Sequence, residues 1–184
     1  KRYLPPDLVD SIVAGDTDID QAPRATTATI LFSDLQGFTE LTSKLRAKKM
    51  ARVLNEYLTA MNEVIYAHGG TIDKFIGDAI MVVFGAPKDL TAQEQIKLST
   101  TCALAMQKAM EPLNAKWSQE DIPNLQMRIG IHHGPVVVGT FGSDKRSDYT
   151  AIGPTVNMAS RIESVCGPGE VFISGEVCDY LDEA

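Results

Sequence analysis

The sequence predicts an α+β fold, and three observations point to this class. A β-branched apolar run covers Thr27 to Phe32, two short apolar strands meet at a tight turn between Ile76 and Ala79, and a further strand covers Leu125 to Ile131. Two amphipathic helical stretches separate them, which gives the order strand–helix–strand–strand–helix–strand. This is the ferredoxin-like βαββαβ pattern, here with appended strands and a helix. It forms a largely antiparallel sheet with helices on one face.

Composition limits the chain to an ordinary globular protein. Its 184 residues suit one domain with or without an appendage, and the apolar fraction is 44%. The net charge is −7, and the basic residues form no long cluster, so we expect no nucleic-acid partner. A small anionic ligand is still compatible with this charge, provided that metal ions and a few cations gather locally.

No apolar run is long enough to cross a bilayer, and there is no signal-peptide pattern. Cys102, Cys166 and Cys178 are odd in number and lack metal-ligand spacing, which is typical of reduced thiols in the cytosol. We therefore expect a cytoplasmic domain. Because the first residue is Lys1 rather than methionine, we also expect a longer protein, whose regulatory domain or membrane anchor would lie outside this sequence.

Residues 1–23 form a predicted lead-in helix and linker, and residues 24–184 form the main domain. Leu8, Val9, Ile12 and Val13 recur at helical spacing before Gly15, which predicts a short amphipathic helix. Such a helix could pack on the domain or relay a signal from upstream, and the sequence does not decide between the two.

Asp34 follows the first strand directly, and a glycine loop at Gly37, Phe38 and Thr39 opens the next helix. This arrangement directs backbone N–H groups and a carboxylate at one small volume, which suits a metal-phosphate ligand. The alternative is that Asp34 merely caps the helix.

Asp78 lies inside the hairpin turn, after the clearest helical stripe of the chain, which Gly69 ends. Gly-Asp is ordinary turn chemistry, so Asp78 could simply be solvated. In the predicted topology, however, the first strand and the hairpin are neighbours, and Asp34 and Asp78 can converge. Two carboxylates beside a glycine loop are a ligand set for two divalent cations in phosphoryl transfer.

The second half begins with a capping box, Thr91 to Glu94, for the second core helix. After Leu125 to Ile131 we predict a hairpin partner strand at 136–141, joined across Gly134-Pro135. His132 and His133 point to opposite faces of an extended chain, so we interpret both as structural.

Residues 142–147 form a predicted flexible flap before a strand at 148–152. Pro154 fits the first turn of a helix that carries Asn157 and Arg161 at i and i+4, hence on one face. A last strand is predicted at 171–174.

Four segments in order resemble the catalytic domain of class III nucleotide cyclases, most closely the homodimeric bacterial adenylate cyclases. The segments are FSDLQGFT at 32–39, DKFIGD at 73–78, GIHHG at 130–134 and IGPTVNMASR at 152–161. The resemblance covers roughly residues 24–180, and the four motifs in this order are far more specific than any one alone.

The resemblance implies a role for each matching residue. Asp34 and Asp78 match two metal-binding aspartates for Mg²⁺ or Mn²⁺, and Lys74 and Thr150 match the pair that reads the purine base. Asn157 matches the residue that orients the ribose. Two arginines complete the set. Arg161 matches the one that stabilises charge on the reacting phosphate, and Arg128 falls where some members have a further phosphate contact.

The resemblance also implies a homodimer with two shared sites. One subunit would give the aspartates, and the other would give Lys74, Thr150, Asn157 and Arg161. The implied reaction is attack of the ribose 3′-hydroxyl on the α-phosphate of ATP, which yields cyclic AMP and pyrophosphate. No protein general base is evident, so water or the substrate would take the proton.

Lys74 favours ATP, because a lysine donor suits N1 of adenine, whereas guanine presents N1–H and needs an acceptor. Thr150 replaces the aspartate of many adenylate cyclases, and its hydroxyl can accept or donate. Members with threonine here resemble a bicarbonate-responsive subgroup, so bicarbonate stimulation is a hypothesis. The alternatives are a guanylate cyclase and a catalytically silent nucleotide-binding or dimerisation module. A diguanylate cyclase would need a different turn motif.

Overall fold

The structure, a computed structural model, describes Val9, Asp10, Val13 and residues 22–182. The three isolated N-terminal residues are helical and exposed. The rest of the predicted lead-in helix and linker lies outside the described residues. Of the helices that are described, none is both long and apolar enough to cross a membrane.

The described chain contains five bounded helices and six strands. The helices are Phe38–Lys44 (α1), Ala47–Ala67 (α2), Ala92–Ser118 (α3), Pro154–Val165 (α4) and Gly175–Asp182 (α5). The strands are Arg24–Gln36 (β1), Thr71–Ile76 (β2), Ala79–Phe84 (β3), Gln126–Ser143 (β4), Arg146–Ile152 (β5) and Val171–Ile173 (β6).

The strands form one sheet in the order β2-β3-β1-β4-β5, and β6 pairs with β4. β1 lies between β3 and β4 and is antiparallel to both, and β2 is antiparallel to β3. β1 and β2 therefore run parallel on either side of β3, as in a split βαβ unit. This confirms the predicted ferredoxin-like α+β core, to which β5, α4, β6 and α5 are added.

The two faces of the sheet carry separate apolar clusters. α2 and α3 cover one face, where the α2 stripe of Val53, Tyr57, Met61 and Ile65 is fully buried. α3 starts at the predicted capping box, in which Thr91 and Glu94 bind each other's backbone N–H. The two core helices thus share one face as predicted. α4, however, packs Ala159 against the opposite face, so the appended helix makes the domain three-layered.

The predicted hairpin at Gly134-Pro135 is wrong, because β4 is one continuous strand that pairs with β1 along its whole first part. Proline usually interrupts a ladder, but on the edge of β4 away from β1 none of the described strands pairs with residues 132–136. Pro135 points its carbonyl to that edge, where it accepts a hydrogen bond from the Thr155 hydroxyl at 2.6 Å. The missing N–H therefore breaks no bond between strands.

The predicted flap at 142–147 is also corrected, since the β4–β5 ladder continues to the pair Ser143 and Arg146. Only Asp144 and Lys145 form the turn, and the polar residues belong to an exposed hairpin tip. The two histidines of β4 have different partners. The His133 ring lies 2.8 Å from the Thr29 hydroxyl, and His132 lies 3.9 Å from the Glu176 carboxylate.

Candidate functional site

Asp34 and Asp78 meet at one end of the sheet. Asp34 lies near the end of β1, and Asp78 lies in the β2–β3 turn. The backbone N–H of Leu35, the residue after Asp34, donates to the Asp78 carboxylate at 2.8 Å. Burial, and to a lesser degree the negative charge of Asp34, raise the pKa of Asp78. The two carboxylates that the sequence expected to converge are thus close enough to interact electrostatically.

Arg128 binds the first of these carboxylates. It lies directly opposite Asp34 in the antiparallel ladder of β1 and β4, so both side chains emerge on the same face. Its Nε and Nη2 atoms donate to the two Asp34 oxygens at 3.0 and 2.7 Å, and Nη1 donates to the Ser164 carbonyl at 3.3 Å. The guanidinium is therefore paired with Asp34, rather than free to meet a phosphate.

Glu163 is a third carboxylate of this site, and the sequence analysis did not predict it. It lies on the buried face of α4, and its carboxylate is 3.5 Å from Nε of Arg128. Burial, followed by hydrogen bonding and charge from Asp34, raises the pKa of Glu163 to about 7. The sequence did contain a sign of this role. Every fourth position of α4 faces the sheet, at Thr155, Ala159 and Glu163, and the last of these is charged.

Lys74 and Thr150 lie on strands at opposite ends of the strand order, yet the sheet curves so that β2 and β5 touch. Asp73 joins them. The Thr150 hydroxyl donates to the Asp73 carboxylate at 2.6 Å, and the Lys74 ammonium lies 3.7 Å from its other oxygen. The sequence analysis predicted no role for Asp73. The available signal was an acidic residue directly before Lys74 in an otherwise apolar strand.

Asn157 and Arg161 share the exposed face of α4, as their spacing predicted. Within the described part of the chain, neither side chain has a hydrogen-bond or ion-pair partner, Asp34 and Asp78 included. Large apolar side chains are also exposed on α4 and on the strands that bear Lys74 and Thr150. They are Phe75, Ile76, Ile152 and Met158, with exposed fractions of 43%, 62%, 46% and 41%. One chain by itself therefore does not bring the two halves of the predicted site together.

The glycine loop opens α1 as predicted, with Gly37 in the left-handed conformation at φ 81° and no side chain capping the helix. Gly37 and Thr39 are exposed, but the Phe38 side chain is 7% exposed and packs in the core. Any contact that Phe38 makes with a ligand is thus limited to its backbone.

The carboxylates fit a hard divalent cation that is completed by ligand oxygens. In the described residues, no three His, Cys, Asp or Glu side chains form a metal-binding group by themselves. Mg²⁺, however, is commonly held by only one or two carboxylates plus substrate phosphates. The Leu35 N–H donates to one oxygen of Asp78, and the carboxylate has further lone pairs with which to bind a cation. Burial, and to a lesser degree the charge of Asp34, disfavour the ionised form of Asp78, and a bound cation would offset both effects.

Comparison with known proteins identifies a family that matches this chain. A family model described as the adenylate and guanylate cyclase catalytic domain matches residues 21–184. Adenylate cyclase 1 of Rhizobium meliloti (strain 1021) is 32% identical over 163 residues, which are 89% of this chain and 24% of that protein. The adenylate cyclase of Anabaena cylindrica is 36% identical over 175 residues, 90% of this chain and 33% of that protein. The chain thus spans a quarter to a third of these relatives.

Solved structures agree in fold. The adenylyl cyclase CyaB from P. aeruginosa superposes with a TM-score of 0.86 at 40% identity, covering 89% of this chain and 84% of that one. The guanylyl cyclase Cya2 superposes with a TM-score of 0.81, also at 40% identity, covering 88% and 80%. An adenylyl and a guanylyl cyclase are thus equally similar to this chain in sequence.

Proposed function

This chain belongs to the adenylate and guanylate cyclase catalytic-domain family, and from that premise we propose that it converts ATP to cyclic AMP and pyrophosphate. In the reaction, the ribose 3′-oxygen bonds to the α-phosphorus, and the bond between the α- and β-phosphates breaks. Pyrophosphate leaves, and water or the substrate takes the hydroxyl proton. The observation that carries the proposal is the meeting of Asp34 and Asp78 through the Leu35 N–H.

Asp34 and Asp78 would hold two divalent cations, Mg²⁺ or Mn²⁺. When bound, such ions lower the pKa of an attacking hydroxyl and neutralise charge on the leaving phosphates. Gly37 and Thr39 are exposed at the N-terminus of α1, where the first backbone N–H groups would bind the phosphate chain. Arg128 would exchange its contact with Asp34 for a phosphate oxygen as the cations take over the carboxylate.

Asn157 and Arg161 would act on the reacting part of the substrate. Asn157 would orient the ribose through its amide, and Arg161 would stabilise the negative charge that develops on the α-phosphate. Support comes from their exposure on one face of α4, where neither side chain has a polar partner among the described residues. A guanidinium without an intramolecular partner is available to a ligand without first breaking an ion pair.

We further propose a homodimer in which each active site combines two subunits. Asp34 and Asp78 would come from one chain, and Lys74, Thr150, Asn157 and Arg161 would come from the other. The exposed Phe75, Ile76, Ile152 and Met158 lie beside these residues and would be covered at the interface. A shared site also explains why Arg161 contacts neither aspartate of its own chain.

ATP is favoured over GTP because Lys74 presents a donor where adenine has the N1 acceptor, whereas guanine presents a donor there. The second candidate is a guanylate cyclase, which the 40% identity to the guanylyl cyclase Cya2 keeps open. The ratio of kcat/KM for ATP to that for GTP decides between them.

The deciding experiment is incubation with ATP or GTP and Mn²⁺, with assay for the cyclic nucleotide and pyrophosphate. We expect cyclic AMP from the unmodified chain and a loss of at least about 100-fold in Asp78→Asn. That variant keeps an oxygen for the Leu35 N–H, so its fold should persist. Asp89→Asn is the matched control, since the Asp89 side chain is 86% exposed and forms a surface ion pair with Arg24. No turnover of either nucleotide by the unmodified dimer would favour the silent module.

A further inference from the structure

We propose that Asp73 is a specificity-determining residue of this site, because it fixes the direction of the Thr150 hydroxyl. This inference rests on the proposed function. Asp73 takes the hydroxyl proton, so only the lone pairs of the Thr150 oxygen face the base. An oxygen fixed in this way accepts a hydrogen bond from the amino group of adenine and repels the O6 acceptor of guanine.

The backbone of β2 directs Asp73 to this position. In the ladder with β3, Ile72 pairs with Val82 and Lys74 pairs with Met81, so Asp73 is the extra residue of a β-bulge. A bulge redirects one side chain out of the regular alternation of the strand. The Asp73 side chain is only 3% exposed and points at β5 rather than at solvent.

The acceptors near the Thr150 hydroxyl determine where its proton points. One oxygen of the carboxylate accepts both the Thr150 hydroxyl at 2.6 Å and the Ala151 N–H at 3.1 Å. The other acceptor near the hydroxyl, the Ala151 carbonyl, lies at 3.4 Å. An ionised carboxylate can only accept, so the hydroxyl must donate. The shorter, charge-assisted bond determines the direction.

The same carboxylate lies close to the other predicted base-reading residue. The Lys74 ammonium is 3.7 Å from the second Asp73 oxygen, and the Lys74 side chain is 47% exposed. Burial raises the pKa of Asp73, while Thr150, Ala151 and Lys74 oppose that shift. One buried acid therefore contacts both the donor and the acceptor that a purine would meet.

A purely structural role predicts a different result. Asp73 links the two ends of the sheet, β2 and β5, so its loss could lower stability and slow the reaction of both nucleotides equally. A role in specificity changes the ratio of kcat/KM for ATP to that for GTP. This ratio is insensitive to the fraction of folded enzyme, because both substrates meet the same molecules.

The test measures that ratio in the unmodified chain and in five variants, with Mn²⁺. We expect Asp73→Ala to lower the ratio by about tenfold or more, since the freed hydroxyl can then donate to guanine. Asp73→Asn should stay within about threefold of the unmodified ratio, because the amide oxygen still accepts from Thr150. Thr150→Val should also lower the ratio, and Asp73→Ala should add nothing in a Thr150→Val background, because the two act as one unit.

Three outcomes would overturn the inference. The first is an unchanged ratio in a folded Asp73→Ala. The second is that Asp73→Ala lowers the ratio by the same factor in the unmodified chain and in the Thr150→Val background. The third is failure of both Asp73→Ala and Asp73→Leu to fold, which would make Asp73 structural; the leucine fills the buried volume without an acceptor. An unmodified chain that fails to prefer ATP would refute the proposed substrate itself, whatever the variants do.

Discussion

Arg128 and Asp34 form a two-pronged ion pair across neighbouring strands, although 94 residues separate them in the sequence. Their side chains are 26% and 23% exposed, so the pair is largely shielded from solvent. The guanidinium also lies 3.5 Å from the Glu163 carboxylate, and its charge acts on Asp78 as well. Arg128 thus supplies, in the metal-free chain, positive charge that divalent cations would supply during turnover.

Removing this arginine should destabilise the metal-free chain and strengthen its response to metal. We expect Arg128→Ala to lower the free energy of unfolding by about 1–3 kcal/mol, since it leaves partly buried carboxylates without a counter-charge. Added Mn²⁺ should raise the melting temperature of this variant more than that of the unmodified chain. Thermal unfolding with and without Mn²⁺ measures both effects.

Arg52→Ala is the matched control for this experiment. Arg52 binds the Glu120 carboxylate with two nitrogens at 2.6 and 3.2 Å and Glu56 at 2.9 Å, but its side chain is 41% exposed and these partners are not the two aspartates. Its removal should cost little stability and leave the Mn²⁺ response unchanged. Equal Mn²⁺ shifts in the Arg128 variant and the unmodified chain would contradict the idea that Arg128 competes with a cation for Asp34.

Two inactive variants should restore activity when they are mixed. Asp78→Asn and Arg161→Ala alter opposite halves of the proposed shared site, so a mixed dimer contains one site with both residues intact. We expect each variant alone to lose at least about 100-fold in kcat. The mixture should recover a substantial part, up to about a quarter of the unmodified rate, if subunits exchange at random.

A mixture of Asp34→Asn with Asp78→Asn serves as the negative control. Both changes fall on the same half, so every site in a mixed dimer lacks one metal-binding carboxylate. This mixture should stay inactive. Activity in the control, or none in the Asp78 and Arg161 mixture despite a mixed dimer in solution, would argue against sites shared in this way.

Gly130 allows α4 to pack directly against β4. A Cβ atom there would overlap with the backbone nitrogen of Glu163, which cannot move without shifting the helix. We expect Gly130→Ala to cost about 2–3 kcal/mol of unfolding free energy, measured by denaturant titration, and to reduce activity by displacing Asn157 and Arg161.

Gly175→Ala provides the comparison for this substitution. Outside its own helix and chain neighbours, no described residue lies within 4 Å of a Cβ built at Gly175, at the start of α5, so the change should alter the unfolding free energy by less than about 0.5 kcal/mol. Equal losses for the two variants would show that close packing of α4 on β4 is not the cause.

His133 should make stability depend on pH. Burial, followed by the charge of His132, lowers the pKa of His133 below its ordinary value of 6.5. The unfolded chain then binds the proton more strongly, so stability is complete above the unfolded pKa and falls as the pH drops below it. We expect the denaturation midpoint to fall between pH 7 and pH 5, and to fall less in His133→Asn, which does not titrate.

The surroundings of His133 make this variant interpretable. Its ring lies 2.8 Å from the Thr29 hydroxyl and meets Tyr180 edge-on, with centroids 5.3 Å apart. Asparagine keeps a polar group near Thr29 and removes only the titrating ring. The same pH dependence in both proteins would mean that other groups control it.

Local patterns made much of the fold predictable. The helical stripe ending at Gly69, the capping box at Thr91 and the turn at Asp78 depend on neighbours within a few residues, and each lies where its pattern predicted. The Gly134-Pro135 turn failed because that local signal says nothing about partners. Whether a proline breaks a strand depends on whether its edge is paired, and β4 leaves that edge open.

Short-range spacing is enough to predict the order of the core helices and strands along the chain, the pair of aspartates beside a glycine loop, and the i, i+4 placement of Asn157 and Arg161. Which charges neutralise each other depends on the tertiary fold. Asp34 binds Arg128 because strand register makes them opposite, and Asp73 binds Thr150 because the curved sheet brings its two ends together. Coulombic and hydrogen-bond energies depend on distances of a few ångströms, and these become fixed only when strands far apart in sequence pack together.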